Sequence, residues 1–534
     1  MGLSLFFIAF VIIICVLLNN ASSKIGMPVL LAFLLLGIIV GSVKFIPVQF
    51  SDYAAGEQIS TIALIFIMFY GGFGTRWDSA KSAAVPAGLL ASLGVILTAG
   101  ITGLFCHFIL RWGWVESFLM GSVVSSTDAA SVFSILRQRR LGLKNNSAPM
   151  LEIESGSNDP FSYMLVILML SLLEAKVSTG QILWLVFKQL VFGIGFGVFI
   201  AWGSCKILKR ISFNTSGFDS LFIFGIALLS YALPSLVDGN GFLSAYLVGI
   251  ILGNSQIEGK RNLVNFFDGI TGLMQVIVFF MLGMLAKPSQ MHIVILPAIG
   301  IFMFMLLIAR PLAVSSILAP FKKYNTKQQI LISFAGLRGA SSIVFAIIAA
   351  MGAPGLEHDI VNIVFCIVLL SIGLQGFLLP KAAIKLDQID RDTDVMKTFN
   401  DFSEETDLQF SEIRITEDNP WKDKMIKDII KPHNMLFCLV IRVSGASIIP
   451  KGATVLHQGD SVIMCTKAFR SEKKLRLVEH NITENSRAAG KTVRECITTD
   501  KAQIVLIRRS GENIIPNGNT IIRAGDTLFL NVGR

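Results

Sequence analysis

The stretch Glu154-Ser155-Gly156-Ser157-Asn158-Asp159-Pro160 lies inside an apolar run, residues 150–174. A run of that length crosses a bilayer, which takes roughly 17–25 residues. Yet it carries Glu154 and Asp159, and a charge at helix centre costs about 2.5–3.5 kcal/mol on insertion scales. Intramembrane acids usually face the protein interior and mark ion or proton paths. Pro160 has no N–H and disturbs the preceding turn, which frees a backbone carbonyl near the Asp159 carboxylate. Asn158 and Ser155 place neutral oxygens beside it. Together these groups can replace part of a cation's water shell. One carboxylate so placed binds a proton or a cation, not both, and that competition is what obligatory exchange needs.

Outward from this run the chain is apolar from residue 1 to about 380 and then reads as ordinary soluble protein. Of its 534 residues, 53% are hydrophobic and 15% charged, where a soluble domain carries about 25% charged residues. Thirteen runs are candidates to span: 3–20, 27–43, 57–74, 85–109, 115–134, 150–174, 180–206, 219–236, 240–254, 265–286, 291–318, 328–351 and 359–380. Residues 3–20 lack the preceding basic residue of a signal peptide, so they are read as the first spanning helix. Alternate loops hold Lys24; Arg76 and Lys81; Arg137, Arg139, Arg140 and Lys144; Lys206, Lys209 and Arg210; Lys260 and Arg261; and Lys322, Lys323 and Lys327. The intervening loops hold only Lys44, Arg111, Lys176 and Lys287. The positive-inside rule then predicts an external N-terminus and a cytoplasmic C-terminal part in the cell (inner) membrane. The net charge of +10 follows from this topology, with no need of a nucleic-acid partner. Seven scattered cysteines form no CxxC pair, and predict neither a disulfide framework nor a zinc site.

Five ionisable residues stand out within the runs: Asp128, Glu154, Asp159, Arg310 and Arg338. Lys188 lies near enough to an outer end to snorkel. For Glu154 and Arg310 the residues alone leave open an ion path or an ion pair that ties helices together. The fifth run contains Ser125-Ser126-Thr127-Asp128-Ala129-Ala130-Ser131, and the twelfth Gly336-Leu337-Arg338-Gly339-Ala340-Ser341-Ser342. Both read as interrupted helices. If helices 1–6 and 8–13 are two repeats, the interruptions are equivalent, and an odd offset of seven inverts one repeat. Interrupted helices paired in this way point to a midplane transport site, although Gly and Ser also serve tight helix packing. Gly193, Gly195 and Gly197 imitate a dinucleotide loop, but they lie in a spanning run with no strand before them, so packing is the reading.

At these residues the chain resembles the NhaP-type cation/proton antiporters of the monovalent cation:proton antiporter family. The resemblance rests on Thr127-Asp128, Glu154-Ser155 with Asn158-Asp159, and Gly241-Phe242-Leu243-Ser244-Ala245-Tyr246. It rests also on Ile308-Ala309-Arg310 and Gly336-Leu337-Arg338-Gly339-Ala340. The segment Phe266-Phe267-Asp268-Gly269-Ile270-Thr271, with Met274-Gln275, looks most like the potassium/proton branch. The resemblance implies that Asp159 is the shared cation and proton site, with Thr127, Asp128 and Ser155 around the ion. Asn158, in the place before Asp159, is linked with electroneutral exchange. Glu154 would pair with Arg310 across helices 6 and 11. Arg338 would offset charge or helix ends at the break in helix 12.

The soluble part repeats itself. Ile415-Thr416-Glu417-Asp418-Asn419 matches Ile482-Thr483-Glu484-Asn485-Ser486 at an offset of 67. Ile448-Ile449-Pro450 with Gly459-Asp460 matches Ile514-Ile515-Pro516 with Gly525-Asp526 at an offset of 66. β-rich runs such as Leu436–Val443 and Ile504–Arg508 alternate with Gly and Pro turns. The predicted organisation is an antiporter transmembrane domain over 1–382, an acidic linker over 383–406, and two small α/β modules over 407–470 and 471–534. Each module resembles the TrkA-C (RCK C-terminal) module of potassium-conductance regulators. That resemblance implies a homodimer and a small regulatory ligand, a nucleotide such as cyclic di-AMP. The tail has no Gly-rich strand–turn–helix, so no NAD site is expected. The basic set Lys467, Arg470, Lys473, Lys474 and Arg476 reads as a solvated linker, or as a contact for acidic lipid or phosphate.

The fold class is therefore an all-α polytopic membrane domain of about thirteen helices, with inverted six-helix repeats and interruptions in helices 5 and 12, followed by small α/β modules. The expected activity is K+/H+ antiport, regulated by the tail, with Na+/H+ antiport as the close variant. A ligand-regulated potassium channel is the alternative of another class, but its filter needs rings of backbone carbonyls, and Tyr70-Gly71-Gly72-Phe73-Gly74 imitates one poorly. With six histidines in no metal spacing, no enzyme is predicted and no cofactor is expected beyond a regulatory ligand.

Overall fold

The computed structural model describes all residues except 1, 26–27, 43–52, 76, 78–80, 140, 145–146, 174–177, 211–216, 256, 258–259, 287, 391–407, 418, 430–434, 444–446, 468–476, 483–485, 487, 497–501, 510–511, 515, 517 and 533–534. Lys44, Arg76, Arg140, Lys176 and Lys287, the linker beyond residue 390, and Arg470, Lys473, Lys474 and Arg476 therefore lie outside the described residues, as do the side chains of Lys24, Arg137, Arg261 and Lys467. The chain forms two compact units, Met1–Ser403 and Glu404–Arg534.

Helix occupies each apolar run of the first unit. In chain order the helices are α1 (Gly2–Ile25), α2 (Val29–Ser42), α3 (Tyr53–Gly74), α4 (Ala84–Phe108), α5a (Trp114–Val123), α5b (Ala129–Gln138), α6 (Ser147–Leu173) and α7 (Thr179–Arg210). They continue with α8 (Phe218–Ser235), α9 (Gly241–Gly253), α10 (Lys260–Leu285), α11 (Pro288–Leu318), α12a (Thr326–Phe334), α12b (Ala340–Gly352) and α13 (Ile360–Lys385). Among the described residues, eight helices are long and apolar enough to cross a membrane by length and composition. Lipid would cover faces such as that of α7, where Leu183, Phe187, Val191, Ile194 and Val198 are exposed at helical spacing. Lys188 is held at its place by Asp238, 2.6 Å away.

Glycine sets how closely the helices cross. On α3 and α9, a Cβ added to Gly72 would strike the Tyr246 carbonyl, and one on Gly249 the Phe69 carbonyl. On α2 and α10, Gly37 meets the Phe280 carbonyl and Gly283 that of Leu34 in the same way. A shift of seven helices turns the pair α2–α10 into α9–α3. The same shift relates α4 and α11, each of which carries a π-turn, at Leu90–Gly94 and Met305–Ala309. In α7, Gly193 and Gly197 pack on α9, where a Cβ would come within 3.0 Å of the Asn240 carbonyl and 3.2 Å of Ser244 Cα.

Past residue 382 the packed chain continues. Helix α13 runs to Lys385, and β2 (Ile389–Asp390) pairs antiparallel with β1 (Gly142–Leu143) in the loop between α5b and α6. Lys144 sits 2.9 Å from Asp387 beside this ribbon.

In the second unit two sheets share one topology. Strands β3 (Leu408–Arg414), β4 (Met435–Ile441), β5 (Ser447–Ile448) and β6 (Ser461–Lys467) lie in the order β3-β6-β4-β5. Strands β7 (Leu477–Asn481), β8 (Ala502–Arg509), β9 (Glu512–Ile514) and β10 (Thr527–Val532) lie as β7-β10-β8-β9. The duplication extends to single contacts. Ile415 N donates to Asp460 O and Ile482 N to Asp526 O, both at 2.8 Å. Gly459 and Gly525 turn with φ of 86° and 88°, where only glycine is free of strain. Buried Asp460 is paired with Arg442, and buried Asp526 with Arg509. Strand outweighs helix in both modules, whose described helical pieces are Ile426–Asp428 and Val493–Cys496.

Candidate ion site

The two interruptions meet. α5 breaks over residues 124–128 and α12 over 335–339, where Ser, Gly and Thr make a helix easy to leave. Each break frees backbone groups that lipid cannot satisfy, and the partner break supplies what is missing. Asp128 N donates to Leu337 O at 2.8 Å. The guanidinium of buried Arg338 donates from Nη1 to the carbonyls of Ser125 and Ser126, at 2.7 and 2.6 Å. These lie just past the C-terminus of α5a, where a cation complements the helix dipole. The break in α12 is anchored in turn by the π-turn Ser371–Gln375 of α13. Ser371 Oγ accepts from Arg338 N at 2.9 Å, and Gln375 donates to Phe334 O at 2.7 Å.

Asp159 lies against this crossing and is 4% exposed. Its Oδ1 accepts from Ser126 Oγ of the α5 break, and Ser126 Oγ is 2.9 Å from Ser341 Oγ at the start of α12b. Ser155 Oγ accepts from Ala129 N and donates to Thr127 O, both at 2.8 Å, and so bridges the α5 break from α6. Asp128 has a second job that the sequence reading did not foresee. It caps α5b, accepting from Ser131 Oγ at 2.6 Å and Ser131 N at 3.2 Å, as an N-cap aspartate does. Gly339 is needed beside it, since a Cβ there would run into the Asp128 carboxylate.

A cavity of about 490 Å³ adjoins the crossing. Its lining includes Thr127, Asp128, Ser155 and Asp159, together with Glu152, Asp268 and Ser341. Four carboxylates thus face it, and among the described residues none of its lining is Lys, Arg or His. Such a lining concentrates cations. The other buried acid of α6, Glu154, points elsewhere. It is paired with Arg310 of α11, both side chains 3% exposed or less. Its charge is therefore neutralised, while Asp159 has no basic neighbour among the described residues of the cavity wall.

Of the residues expected around the ion, Thr127, Asp128, Ser155 and Asp159 come together on the cavity. Asn158 does not. It is fully buried and does not line the cavity, and its amide donates to Thr127 Oγ1 at 2.5 Å. Neighbouring residues stand about 100° apart on an α-helix, and here that turn carries the Asn158 side chain from the cavity to the Thr127 hydroxyl. Glu152 and Asp268 were missed, although each is an acid inside an apolar run. Asp268, Thr271 and Gln275 also follow the i, i+3, i+7 spacing of one helix face.

The family model described as sodium/hydrogen exchanger, transmembrane, matches residues 7–385. The chain belongs to the sodium/hydrogen exchanger family. The K(+)/H(+) antiporter NhaP of Alkalimonas amylolytica is 34% identical over 477 residues, covering 87% of this chain and 81% of the relative. The K(+)/H(+) antiporter NhaP2 of Shewanella sp. (strain MR-4) is 34% identical over 458 residues, covering 85% and 79%. Among solved structures, the sodium proton antiporter MjNhaP1 from Methanocaldococcus jannaschii has the same fold, with a TM-score of 0.62 at 22% identity, covering 72% of this chain and 98% of that one. The TrkA-C domain model matches residues 477–531, which hold β7 to β10. The membrane unit of this exchanger thus contains the crossing of two broken helices, and the tail carries a TrkA-C domain after a first sheet of the same strand order.

Proposed function

We propose that this exchanger moves K+ against H+, with Asp159 as the group that each binds in turn. The observation that carries the reading is the contrast between the two buried acids of α6: Glu154 is neutralised by Arg310, while Asp159 faces an acid-lined cavity at the meeting of two broken helices. A cation at Asp159 finds the oxygens of Thr127, Ser155 and Asp128 within the same wall. A proton on Asp159 removes the charge that holds the cation, so the two compete. Asn158 acts through Thr127, whose hydroxyl its amide holds in place. With no second carboxylate in the place of Asn158, one charge leaves for each that enters, and exchange is electroneutral. Arg338 neutralises the end of α5a and keeps the crossing assembled as the site turns from one side to the other.

The shared offset of seven helices in the close crossings and the π-turns supports inverted repeats for helices 1–6 and 8–13. We assign the N-terminus to the outside and the tail to the cytoplasm, from the loop charges. The tail, as a pair of TrkA-C-like modules, binds a small regulatory ligand and supports a homodimer.

The test is transport in sealed vesicles holding a preset pH gradient. Added K+ collapses the gradient with wild-type protein and leaves it intact with Asp159→Ala. Undiminished cation-driven proton flux in that variant would remove Asp159 from the mechanism. Na+ in place of K+ tests the second reading, which the sodium/hydrogen exchanger family model favours. Insensitivity of the flux to membrane potential tests electroneutrality.

A further inference from the structure

One wall of the cavity that Asp159 lines is formed by α10. Its residues Asp268, Thr271, Gly272 and Gln275 line the cavity together. They fall at i, i+3, i+4 and i+7, one face of the helix, over roughly 10 Å of its length at about 1.5 Å per residue. Off that face, α10 carries the buried Leu263, Phe267 and Met281. A polar face on a spanning helix calls for partners, and one member lacks them. Thr271 is 8% exposed, yet among the described residues its hydroxyl has no hydrogen-bond partner. A valine would fill the same volume without that cost. Gly272 points the same way. A Cβ there would meet nothing within 4 Å, so packing does not require glycine, which weakens a helix interior. Its bareness leaves room beside Thr271. Asp268, which accepts from Tyr70 Oη at 3.3 Å, supplies negative charge one turn away.

We propose that Asp268, Thr271 and Gln275 form a second cation station on α10, which a monovalent cation occupies on its way to or from Asp159. A carboxylate, a hydroxyl and an amide oxygen are hard donors that suit an alkali cation. The station rests on the exchange reading, since it serves the same cation. At about 490 Å³ the cavity holds a partly hydrated ion, given that one water takes about 30 Å³. Oxygens on α10 then take over part of the water shell before the ion reaches Asp159.

The test uses the full-length chain in vesicles and reads the K+ dependence of proton flux for wild type, Thr271→Val and Thr271→Ser, with Asp159→Ala as the inactive control. Thr271→Val keeps the shape and deletes the oxygen. The KM for K+ is expected to rise about five- to tenfold, with the maximal rate reduced less than twofold, and Thr271→Ser is expected to stay near wild type. An unchanged KM in Thr271→Val overturns the station. A Thr271→Ser variant as impaired as Thr271→Val does the same, because it marks a packing role. A second readout is rubidium binding to the solubilised Asp159→Asn protein. Residual weak binding that the added Thr271→Val change removes supports the station, and absence of residual binding refutes it. Active wild type with an unaltered Thr271→Val sinks this inference alone, whereas wild type without any cation-driven flux sinks the exchange reading and the station together.

Discussion

The pairing of Glu154 with Arg310 can be tested by a double-mutant cycle. Both side chains are within 3% of full burial, so neither charge can fall back on water. Glu154→Leu leaves a buried guanidinium whose Nε already lacks a hydrogen-bond partner. Arg310→Met leaves a buried carboxylate whose Oε2 is likewise without one. Removing one partner of a buried pair costs about 3–5 kcal/mol, because the survivor is uncompensated. Replacing both by apolar groups of similar volume is nearly neutral, within about 1–2 kcal/mol of wild type. The coupling is therefore expected at about 4 kcal/mol or more, above the roughly 0.5–3 kcal/mol of most measured pairs. Unfolding free energies from denaturant titration of the solubilised protein give the cycle, and vesicle flux follows in parallel. The double variant should regain both stability and exchange that each single loses. If the two losses simply add, or if the double variant is stable but transports nothing, Glu154 is more than a neutralised scaffold residue and Asp159 does not work alone.

Other outcomes follow from particular contacts. Gly339→Ala should abolish exchange while the protein still inserts, because the new Cβ collides with Asp128; Gly195→Ala, which meets nothing within 4 Å, should transport normally and gain roughly 0.5–1 kcal/mol of stability. Truncation after Ser403, at the unit boundary, should retain exchange and lose regulation. Truncation after Asp387 also removes β2 and its pairing with the α5b–α6 loop, and a flux below that of the longer truncation is the expected result. In the tail, Arg509 beside Asp526 holds its carboxyl below the usual carboxylate range, with Arg523 N adding a hydrogen bond. A depressed native value means that this contribution is present above the ordinary carboxylate range and is lost as pH falls through the native value. Limited proteolysis should therefore open the second module in acid, and Asp526→Asn should open it at neutral pH, at a cost of about 2 kcal/mol, with a flatter acid dependence.

Much of the membrane unit was legible because the information is local. Apolar length names the spanning runs, and Ser, Gly and Thr inside a run mark where a helix stops. The breaks at 124–128 and 335–339 overlap, for this reason, the stretches Ser125–Ser131 and Gly336–Ser342 picked from sequence. Asp159 was legible because a carboxylate in an apolar run has few uses. In the tail, an internal offset of 66 or 67 residues was enough to expect two copies of one module, down to Asp460 and Asp526.

Other features depend on which helices cross. Arg338 reaches carbonyls 213 and 212 residues earlier in the chain, a distance at which spacing carries no signal. The same holds for Ser126 with Ser341 and for the α10 residues that share a cavity with Asp159. Asn158 stands next to Asp159 in sequence, yet the helical turn sends it behind Thr127 and off the cavity. Sequence by itself determined that the chain spans the membrane, where its helices break and which acid is out of place. Tertiary structure alone decided which breaks satisfy each other and which acids share a cavity, because a buried charge or an open carbonyl is compensated by whatever the packing brings within hydrogen-bond reach.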